Sequence, residues 1–534
     1  MTARAVLDER PRRPSIRAGA ILVAAGIFLS RIFGLIRVRV FSHYFGLQSD
    51  AADAFNAGFR IPNVLQNLFG EGALSASFIP VYARLLAEKD EAEANRVASA
   101  VAGLLALTTS IIVLVGVVTA PVLINLIAPG FHGAKRDLAV LLVRILFPGA
   151  GLLVLSAWCL GILNSHHRFF LSYSAPVVWN VAMIATLVAF GSRVHQVRLA
   201  EVLAWGSVLG SALQVAVQLP TAMKLIGRLR PTIDIASGHV RDAVRNFWPV
   251  FMSRGVVQIS AYVDQLIASW LPTGAVTGLM NAQVLYTLPV SLFGMSVSAA
   301  ELPTMSRAVG TDEAVAAQVR GRLEAGLAQI AFFIVPSAVG FLALGDVVAG
   351  AILQTGRFTG ADATYVWAIL AGSAVGLLAS TFARLYSSAY WALRDTRTPL
   401  RYAVVRVALT AALGYLAALP LPPLLGIDVR WGVAGLTASA GVAGWVEFAL
   451  LRRTLTRRIG AAHVPPSFLA KLWTAALAGA AAGWAIKLAL GPRPPLLVGA
   501  IVLVPYGLVF LGLTLAFGLP QARTALGRFL PGRQ

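Results

Sequence analysis

Arginines inside apolar segments are the residues of this sequence best suited to chemistry. The stretch SRIFGLIRVRVF (30–41) lies in a hydrophobic segment and contains Arg31, Arg37 and Arg39. Arginine at membrane depth is costly and usually faces protein or water rather than lipid. Its guanidinium is planar, permanently charged and able to form paired hydrogen bonds with phosphate. The pattern therefore points to an anionic ligand, and a lipid-linked phosphate or pyrophosphate fits better than a cationic drug.

The three arginines differ in depth and direction. On a helix that starts near Ala18, Arg31 lies roughly 20 Å along the axis and Arg37 about 28 Å, close to the outer interface. Arg37 and Arg39 are about 200° apart around the helix, so they point to opposite sides. We expect Arg31 to bind the ligand because of its depth, Arg37 to bind it chiefly on the strength of a family resemblance, and Arg39 to reach the polar interface as an anchor. A structural ion pair with a buried carboxylate is the alternative for Arg31.

The next segment, SDAADAFNAGFRIPNVLQNLFGEGALSASFIPVYAR (49–84), combines charges with helix-breaking residues. Proline and glycine are tolerated at membrane depth where bent backbone lines a cavity. Asp53 has two interpretations: a helix-start residue favoured by the helix dipole, or a partner that neutralises an arginine when an outer gate closes. Glu71, between two glycines, is expected to be either a hinge partner or a carboxylate near the inner mouth.

The sequence resembles itself at an offset of 223 residues, which makes Arg254 the partner of Arg31. An even number of helices between equivalent positions predicts two six-helix lobes of the same orientation, related by an axis along the membrane normal. Substrate would bind between the lobes, and their rocking would alternate access. Asp264 follows Arg254 ten residues later on the same helix. The matching positions are Ser30 and Ser253, Pro80 and Pro303, Arg84 and Arg307, Gly133 and Gly356, and Pro176 and Pro399.

The elements that position these residues are membrane-spanning helices. The chain is 57% hydrophobic and 13% charged, against roughly 25% charged in soluble domains, and apolar runs of about 20 residues recur throughout. We count about fourteen such helices and predict an all-α integral membrane fold, with two lobes around a central cavity and two C-terminal helices appended. The formal charge of +21 falls mostly in segments that would be cytoplasmic, which indicates topology rather than nucleic-acid binding and puts both termini in the cytoplasm.

The predicted organisation follows from this helix count. The chain shows no nucleotide-binding motif, no metal-ligand spacing and no arrangement of catalytic residues, so we expect a transporter without a bound cofactor rather than an enzyme. The predicted segments are a cytoplasmic tail (1–15), an N-lobe with helices 1–6 (16–228), a cytoplasmic linker (229–243), a C-lobe with helices 7–12 (244–455), helices 13 and 14 (466–518) and a second cytoplasmic tail (519–534).

Five motifs give the chain a family resemblance: SRIFGLIR, DAFNAGFRIPNVL, GEGALSASFIPVYA, QTGRFT and YWALRDTRTP. They resemble the MurJ (MviN) lipid II flippases of the multidrug/oligosaccharidyl-lipid/polysaccharide exporter superfamily, and the resemblance covers nearly the whole chain. It implies transport of lipid II, the undecaprenyl-pyrophosphate-linked peptidoglycan precursor, across the bacterial cytoplasmic membrane by alternating access. It also implies coupling to the membrane potential or to a Na⁺ or H⁺ gradient, and makes the cell-wall synthesis machinery a candidate partner.

The resemblance assigns roles to particular residues. The two first-helix arginines of the family match Arg31 and Arg37, and its acidic residue at the start of helix 2 matches Asp53. Arg60 stands where a basic residue is usual, just before the Pro-Asn pair. Asp264 matches an acidic position that some members use in a sodium site, although the polar partners expected on helix 11 are not evident here.

The chain also departs from the family pattern. Gln66 and Val284 stand where the family carries functional arginines. One hypothesis is that Arg254 and Arg39 partly replace them. Alternatively, the chain is a diverged paralogue that exports another polyprenyl-linked saccharide. A cation-coupled drug antiporter on the same fold, or a scaffold of envelope assembly without transport, are further alternatives.

Overall fold

The computed structural model describes residues 16–69, 74–227, 232, 237–308 and 310–529, and these fold into helices. Within these ranges there is no β-strand, although Thr355 and Phe358 form an isolated bridge. A π-helical turn (Val290–Met295) joins α10 to α11, and a 3₁₀ turn (Val429–Trp431) precedes α17. In chain order the helices are α1 (Ile16–Phe45), α2 (Asp50–Asn67), α3 (Ser75–Ala87), α4 (Glu91–Val118), α5 (Ala120–Ile127), α6 (Gly133–Ser165), α7 (Phe169–Phe190), α8 (Gln196–Ile226), α9 (Gly238–Ser269), α10 (Ala275–Pro289), α11 (Ser296–Ser306), α12 (Asp312–Leu353), α13 (Gly360–Val375), α14 (Leu377–Ala392), α15 (Arg397–Ala418), α16 (Leu421–Leu424), α17 (Gly432–Ile459), α18 (Pro466–Ala489), α19 (Pro495–Ala516) and α20 (Pro520–Phe529).

Membrane crossings dominate the described part of the chain. Ten helices there are long and apolar enough to span a bilayer, or eleven if α13 and α14, which meet at a 43° bend, form one span. Helix α1, with 30 residues, and helix α9, with 32, are also longer than the roughly 20 residues that a span needs. If α2 and α3 are counted as one further span, the eleven spans and these two helices make fourteen. The predicted all-α membrane fold is confirmed, and the predicted helix count is compatible with it.

Contacts divide the chain into two compact units. Unit 1 consists of the described residues of Met1–Arg37, Phe59–Ala120 and Leu141–Val256. Unit 2 consists of those of Val38–Gly58, Pro121–Val140 and Val257–Gln534. The end of α1, the start of α2 and the α5–α6 connection therefore pack with the C-terminal half of the chain.

The lobe bounds inferred from the repeat stay predictions. The tail 1–15 lies outside the described residues, as does most of the segment 228–236. Helix α9 begins at Gly238, inside the predicted linker (229–243), and α20 occupies part of the predicted C-terminal tail (519–534).

Small residues allow close helix packing within unit 2. A Cβ atom on Gly376, between α13 and α14, would lie 2.4 Å from the Cα of Gly441 on α17. A Cβ atom on Gly432 would lie 2.0 Å from the carbonyl oxygen of Ala418 on α15. Membrane helices associate largely through such small-residue contacts, because lipid provides little hydrophobic drive between them. These glycines therefore fix α17 against α13 and α15.

Asp395 fixes the turn between α14 and α15. Its Oδ1 accepts hydrogen bonds from the backbone N–H groups of Arg397 (3.1 Å) and Thr398 (3.0 Å). Its Oδ2 accepts from the Thr398 hydroxyl at 2.8 Å and from the Arg458 guanidinium at 2.7 Å. Partial burial acts to raise the pKa of Asp395, but these hydrogen bonds outweigh it and hold the pKa below its ordinary value. The carboxylate thus caps α15 in its charged form.

We expect Asp395→Ala to lower the free energy of unfolding by about 1 kcal/mol, the usual cost of losing a helix N-cap. Thermal unfolding of the purified protein in detergent measures it. Because the folded-state pKa is lowered, the stabilisation is complete above about pH 4 and is lost as the pH falls through the folded-state pKa. Asp137→Ala is the control, since the Asp137 side chain is 77% exposed. Equal effects of the two substitutions would contradict the capping role.

Candidate anion-binding arginines and an acidic latch

Helix α1 places Arg37 in an aromatic pocket of unit 1. The Arg37 guanidinium carbon lies 4.8 Å from the ring centroid of Trp179 on α7 and 5.7 Å from that of Phe59 on α2. The two rings stack on each other with centroids 5.8 Å apart. Trp179 is itself fixed, because its Nε1 donates a hydrogen bond to the Ser207 carbonyl oxygen at 3.2 Å. The pocket therefore orients the guanidinium by cation–π contact.

The charge of Arg37 is not neutralised by the part of unit 1 that the structure describes. No described carboxylate forms an ion pair with it, its Nε is buried without a hydrogen-bond partner, and its Nη1 lies 3.5 Å from the Met183 sulfur. A partly buried cation without a counter-charge is unfavourable unless a ligand supplies the charge. This geometry suits an anion that approaches the open side of the guanidinium.

Two further predicted ligands belong to unit 1 with Arg37. Arg31 lies on α1 and is exposed, whereas Arg60 on α2 is buried, with 9% of its surface accessible. Arg60 follows directly after Phe59, whose ring contacts Arg37. The backbone of Arg254 lies in α9, but its side chain is outside the described residues, as are Glu71 and the side chain of Gln66. The binding roles of all these residues stay predictions.

Asp53 is the centre of a buried hydrogen-bond network in unit 2. Its side chain is 1% exposed and lies 2.8 Å from the Lys135 ammonium. The Oδ2 atom that bonds Lys135 also accepts from the Gly274 backbone N–H at 2.9 Å. The other oxygen accepts from the Thr277 N–H at 2.9 Å and from its hydroxyl at 2.7 Å. We call Asp53, Lys135, Gly274 and Thr277 the acidic latch.

The latch joins three helix starts. Asp53 lies in the first turn of α2, Lys135 in the first turn of α6, and Gly274 and Thr277 at the N-terminus of α10. Asp53 thus caps the positive end of a helix other than its own. Beside it, Asp50 bonds the Thr273 hydroxyl at 2.7 Å and lies 3.1 Å from Lys135.

The cation that pairs with Asp53 in the latch differs from the one expected from the sequence. The sequence suggests an arginine as the charge partner of Asp53, whereas in the structure Asp53 pairs with Lys135. A buried acid is usually paired with a cation, and Lys135 follows closely after Gly133, one of the repeated glycines. Those two observations together could have indicated it. The gating role of Asp53 stays a prediction.

Arg39 has a partner that sequence analysis did not identify. Its Nη1 donates hydrogen bonds of 2.8 Å to the carbonyl oxygens of Ala351 and Ile352. These are among the last carbonyl groups of α12, which accept no hydrogen bond within the helix and attract cations. Next to it, His43 Nδ1 lies 2.9 Å from the Thr355 hydroxyl oxygen. Arg39 therefore fastens α1 to α12, and this geometry does not favour it as a substitute ligand or a lipid-facing anchor.

Asp264 lines a polar cavity of about 260 Å³ within unit 2. The same cavity is lined by Arg406 of α15, whose Nε lies 3.2 Å from Glu447 Oε2. The described residues contain no group of three His, Cys, Asp or Glu side chains that could hold a metal ion. The cation role of Asp264 stays a prediction. Other lining residues are Gln283, Tyr286, Ser373, Ser380, Thr410 and Thr437.

Comparison with known proteins places the chain in a family. The family model described as lipid II flippase MurJ matches residues 41–501. A probable lipid II flippase MurJ from Rhizobium tropici is 31% identical over 451 residues, which cover 82% of this chain and 80% of that protein. The lipid II flippase MurJ from Burkholderia cenocepacia is 30% identical over 447 residues, with 82% and 84% covered.

Solved structures agree with the sequence relatives. A lipid II flippase MurJ in an inward closed conformation is 25% identical and superposes with a TM-score of 0.75, covering 93% of this chain and 98% of the other. An inward-facing multidrug resistance MATE transporter of the MOP superfamily shares the fold, with a TM-score of 0.62 at 16% identity and coverage of 82% and 98%. The chain belongs to the lipid II flippase MurJ family.

Proposed function

We propose that this chain translocates lipid II across the bacterial cytoplasmic membrane. The family match over residues 41–501 carries the proposal. The chemistry of unit 1 supports it, because a partly buried guanidinium that no described carboxylate neutralises is suited to a pyrophosphate. The MATE transporters share only the fold at 16% identity, so they provide no argument for drug transport.

The proposal assigns the substrate pyrophosphate to the arginines of unit 1. Arg37 is held by Trp179 and Phe59 with its charge unmatched, and it contacts the pyrophosphate directly. Arg31 and Arg60 lie on the same two helices, α1 and α2, and contribute further charge. Arg254 is included as the repeat partner of Arg31. No bond is made or broken in this process, so the protein acts as a transporter and not as an enzyme.

The acidic latch provides the conformational step of the proposal. While Asp53 caps α10 and neutralises Lys135, the starts of α2, α6 and α10 are held together. Alternating access requires a state in which this network is broken, so the latch sets the relative stability of two states. The membrane potential or a Na⁺ or H⁺ gradient drives the cycle in this proposal, both termini lie in the cytoplasm, and the cell-wall synthesis machinery is a candidate partner.

Complementation tests the assignment. Expressed in a bacterium depleted of its own lipid II flippase, the chain is expected to restore growth and the appearance of lipid II in the outer leaflet. A family relative serves as the positive control, and membrane-inserted protein is quantified in parallel. Normal expression without rescue would refute lipid II as the substrate. It would then favour the diverged-paralogue alternative, to which the departures at Gln66 and Val284 point.

A further inference from the structure

Unit 1 contains a large apolar cavity that is separate from the arginines. Its volume is about 660 Å³, within the range of ligand pockets. Its walls are formed by helices α2, α3, α4 and α9, together with the residues directly after α2 and directly before α3. Except for Ser77 and Thr108, the side chains that line it are apolar: Leu65, Leu68, Phe69, Leu74, Phe78, Val101, Leu104, Leu105, Ile112, Ala243, Val244 and Phe247.

The cavity opens at an exposed face of the helices that line it. Thr108 of α4 lines it and is exposed, and beside this opening Leu107 and Ile111 expose 44% and 53% of their surface. On the opposite wall, Val244 of α9 is 50% exposed despite being apolar. In a bilayer such surfaces are covered by hydrocarbon chains. The occupant of the cavity is therefore expected to enter sideways from the bilayer.

The length of the cavity matches one acyl chain. From Val101 to Ile112 the α4 wall extends about 16 Å at 1.5 Å per residue, which is about half of the roughly 30 Å hydrocarbon core. The acyl chains of one leaflet fill that depth. A polyprenyl tail of the undecaprenyl class is much longer than the cavity.

Charges near the starts of α4 and α9 are largely balanced. Ser237 donates a hydrogen bond of 2.6 Å to Glu93, and His239 Nδ1 lies 3.4 Å from the same oxygen, which joins the starts of the two helices. Arg96 pairs with Glu93 at 3.8 Å, and Arg245 pairs with Asp242 at 3.3 Å. Because these charges are paired, they give little reason to select a charged headgroup. Recognition must therefore come from the hydrocarbon chain of the ligand.

We propose that this cavity is a binding site for one acyl chain of a bilayer phospholipid, selected by its hydrocarbon chain and not by its headgroup. The bound chain covers the apolar walls of α4 and α9. This site is independent of the proposed transport of lipid II, because none of the arginines assigned to the pyrophosphate lines it.

Photo-crosslinking with tail-labelled lipids tests the site. The full chain is reconstituted into vesicles that contain phosphatidylcholine or phosphatidylglycerol carrying a diazirine in one acyl chain, and crosslinked peptides are mapped by mass spectrometry. We expect both lipids to label the α4 segment 101–112 and the α9 segment 243–247 with similar yield. Preferential labelling by phosphatidylglycerol would overturn selection by the chain. Strong competition by undecaprenyl phosphate would overturn the acyl-chain assignment.

Two adjacent substitutions provide the matched variants. Thr108→Trp puts a large ring into the cavity from an exposed position and is expected to reduce labelling of the α9 segment to background. Leu107→Trp adds the same ring one residue away, outside the residues that line the cavity, and is expected to retain the labelling. Thermal unfolding verifies that both variants fold, and Val244→Trp repeats the test from the opposite wall if Thr108→Trp does not. Equal labelling of a folded filling variant and Leu107→Trp would refute the site.

Discussion

Arg37→Met will abolish lipid II translocation while leaving the protein at least as stable as the wild type. Methionine retains much of the length of the side chain and can pack on Trp179 and Phe59, which now contact the guanidinium. It removes a partly buried charge that no described carboxylate neutralises, and replacing charges in such sites by well-packed apolar groups is often neutral or stabilising. Losing a charged contact to a bound anion costs about 2–5 kcal/mol. Outer-leaflet lipid II and thermal unfolding measure the two effects.

Arg39→Met is the matched control, because Arg39 is two residues away on the same helix and has structural partners. It loses both hydrogen bonds to the end of α12, so we expect its melting temperature to fall. Arg37→Lys tests the geometry of the charge, since lysine cannot form the paired contacts of arginine; partial activity is expected. A stable Arg37→Met variant with wild-type flipping would rule out Arg37 as a substrate ligand.

Asp53→Asn is expected to break the acidic latch and to inactivate transport. The carboxylate accepts four hydrogen bonds on two oxygens, and an amide can replace only one of those oxygens. Its NH₂ group would face the Lys135 ammonium or the helix N–H groups, donor against donor. Removing one partner of a buried ion pair costs about 3–5 kcal/mol. A change of that size shifts the equilibrium between latched and open states by at least roughly a hundredfold.

A double-mutant cycle separates the latch from general damage to the fold. Lys135→Met together with Asp53→Asn removes both charges, so thermal stability should recover part of the loss. Asp50→Asn is the control, since the Asp50 side chain is 62% exposed. In a Cys159→Ser background, which leaves no native cysteine, a cysteine in place of Thr273 reports access to an impermeant maleimide. Faster labelling in Asp53→Asn is expected, and unchanged labelling would contradict the latch.

The membrane fold could be predicted from the sequence because the bilayer restricts the options. Apolar runs of spanning length must form helices, because a single segment in hydrocarbon can form all its backbone hydrogen bonds only as a helix. The same reasoning located Arg31, Arg37 and Asp53 on the first two helices, because charges in apolar runs are conspicuous. The start of α9 was harder to predict from the sequence, because its first turns are polar. It lies at Gly238, inside the segment predicted as a linker.

Contacts between distant residues could not be predicted in this way. Lys135 is 82 residues from Asp53, and the carbonyls that bind Arg39 are more than 300 residues away from it. Periodicity determines which face of a helix is apolar, but it carries no information on which other helix will meet that face. Arg39 was therefore assigned to the interface from its direction alone. The aromatic pocket of Arg37 was missed for the same reason, because Trp179 lies on α7.

The hydrogen bond between Asp50 and Thr273 joins residues that are 223 positions apart, the offset of the internal repeat. In a symmetric dimer, equivalent residues that touch each other lie beside the twofold axis. In a protein made of two identical halves, one residue type would meet itself at such a position, and two aspartates there would repel each other. The contact between Asp50 and Thr273, which lies beside the acidic latch, pairs an acid with a hydroxyl. Two halves of identical sequence could not form it.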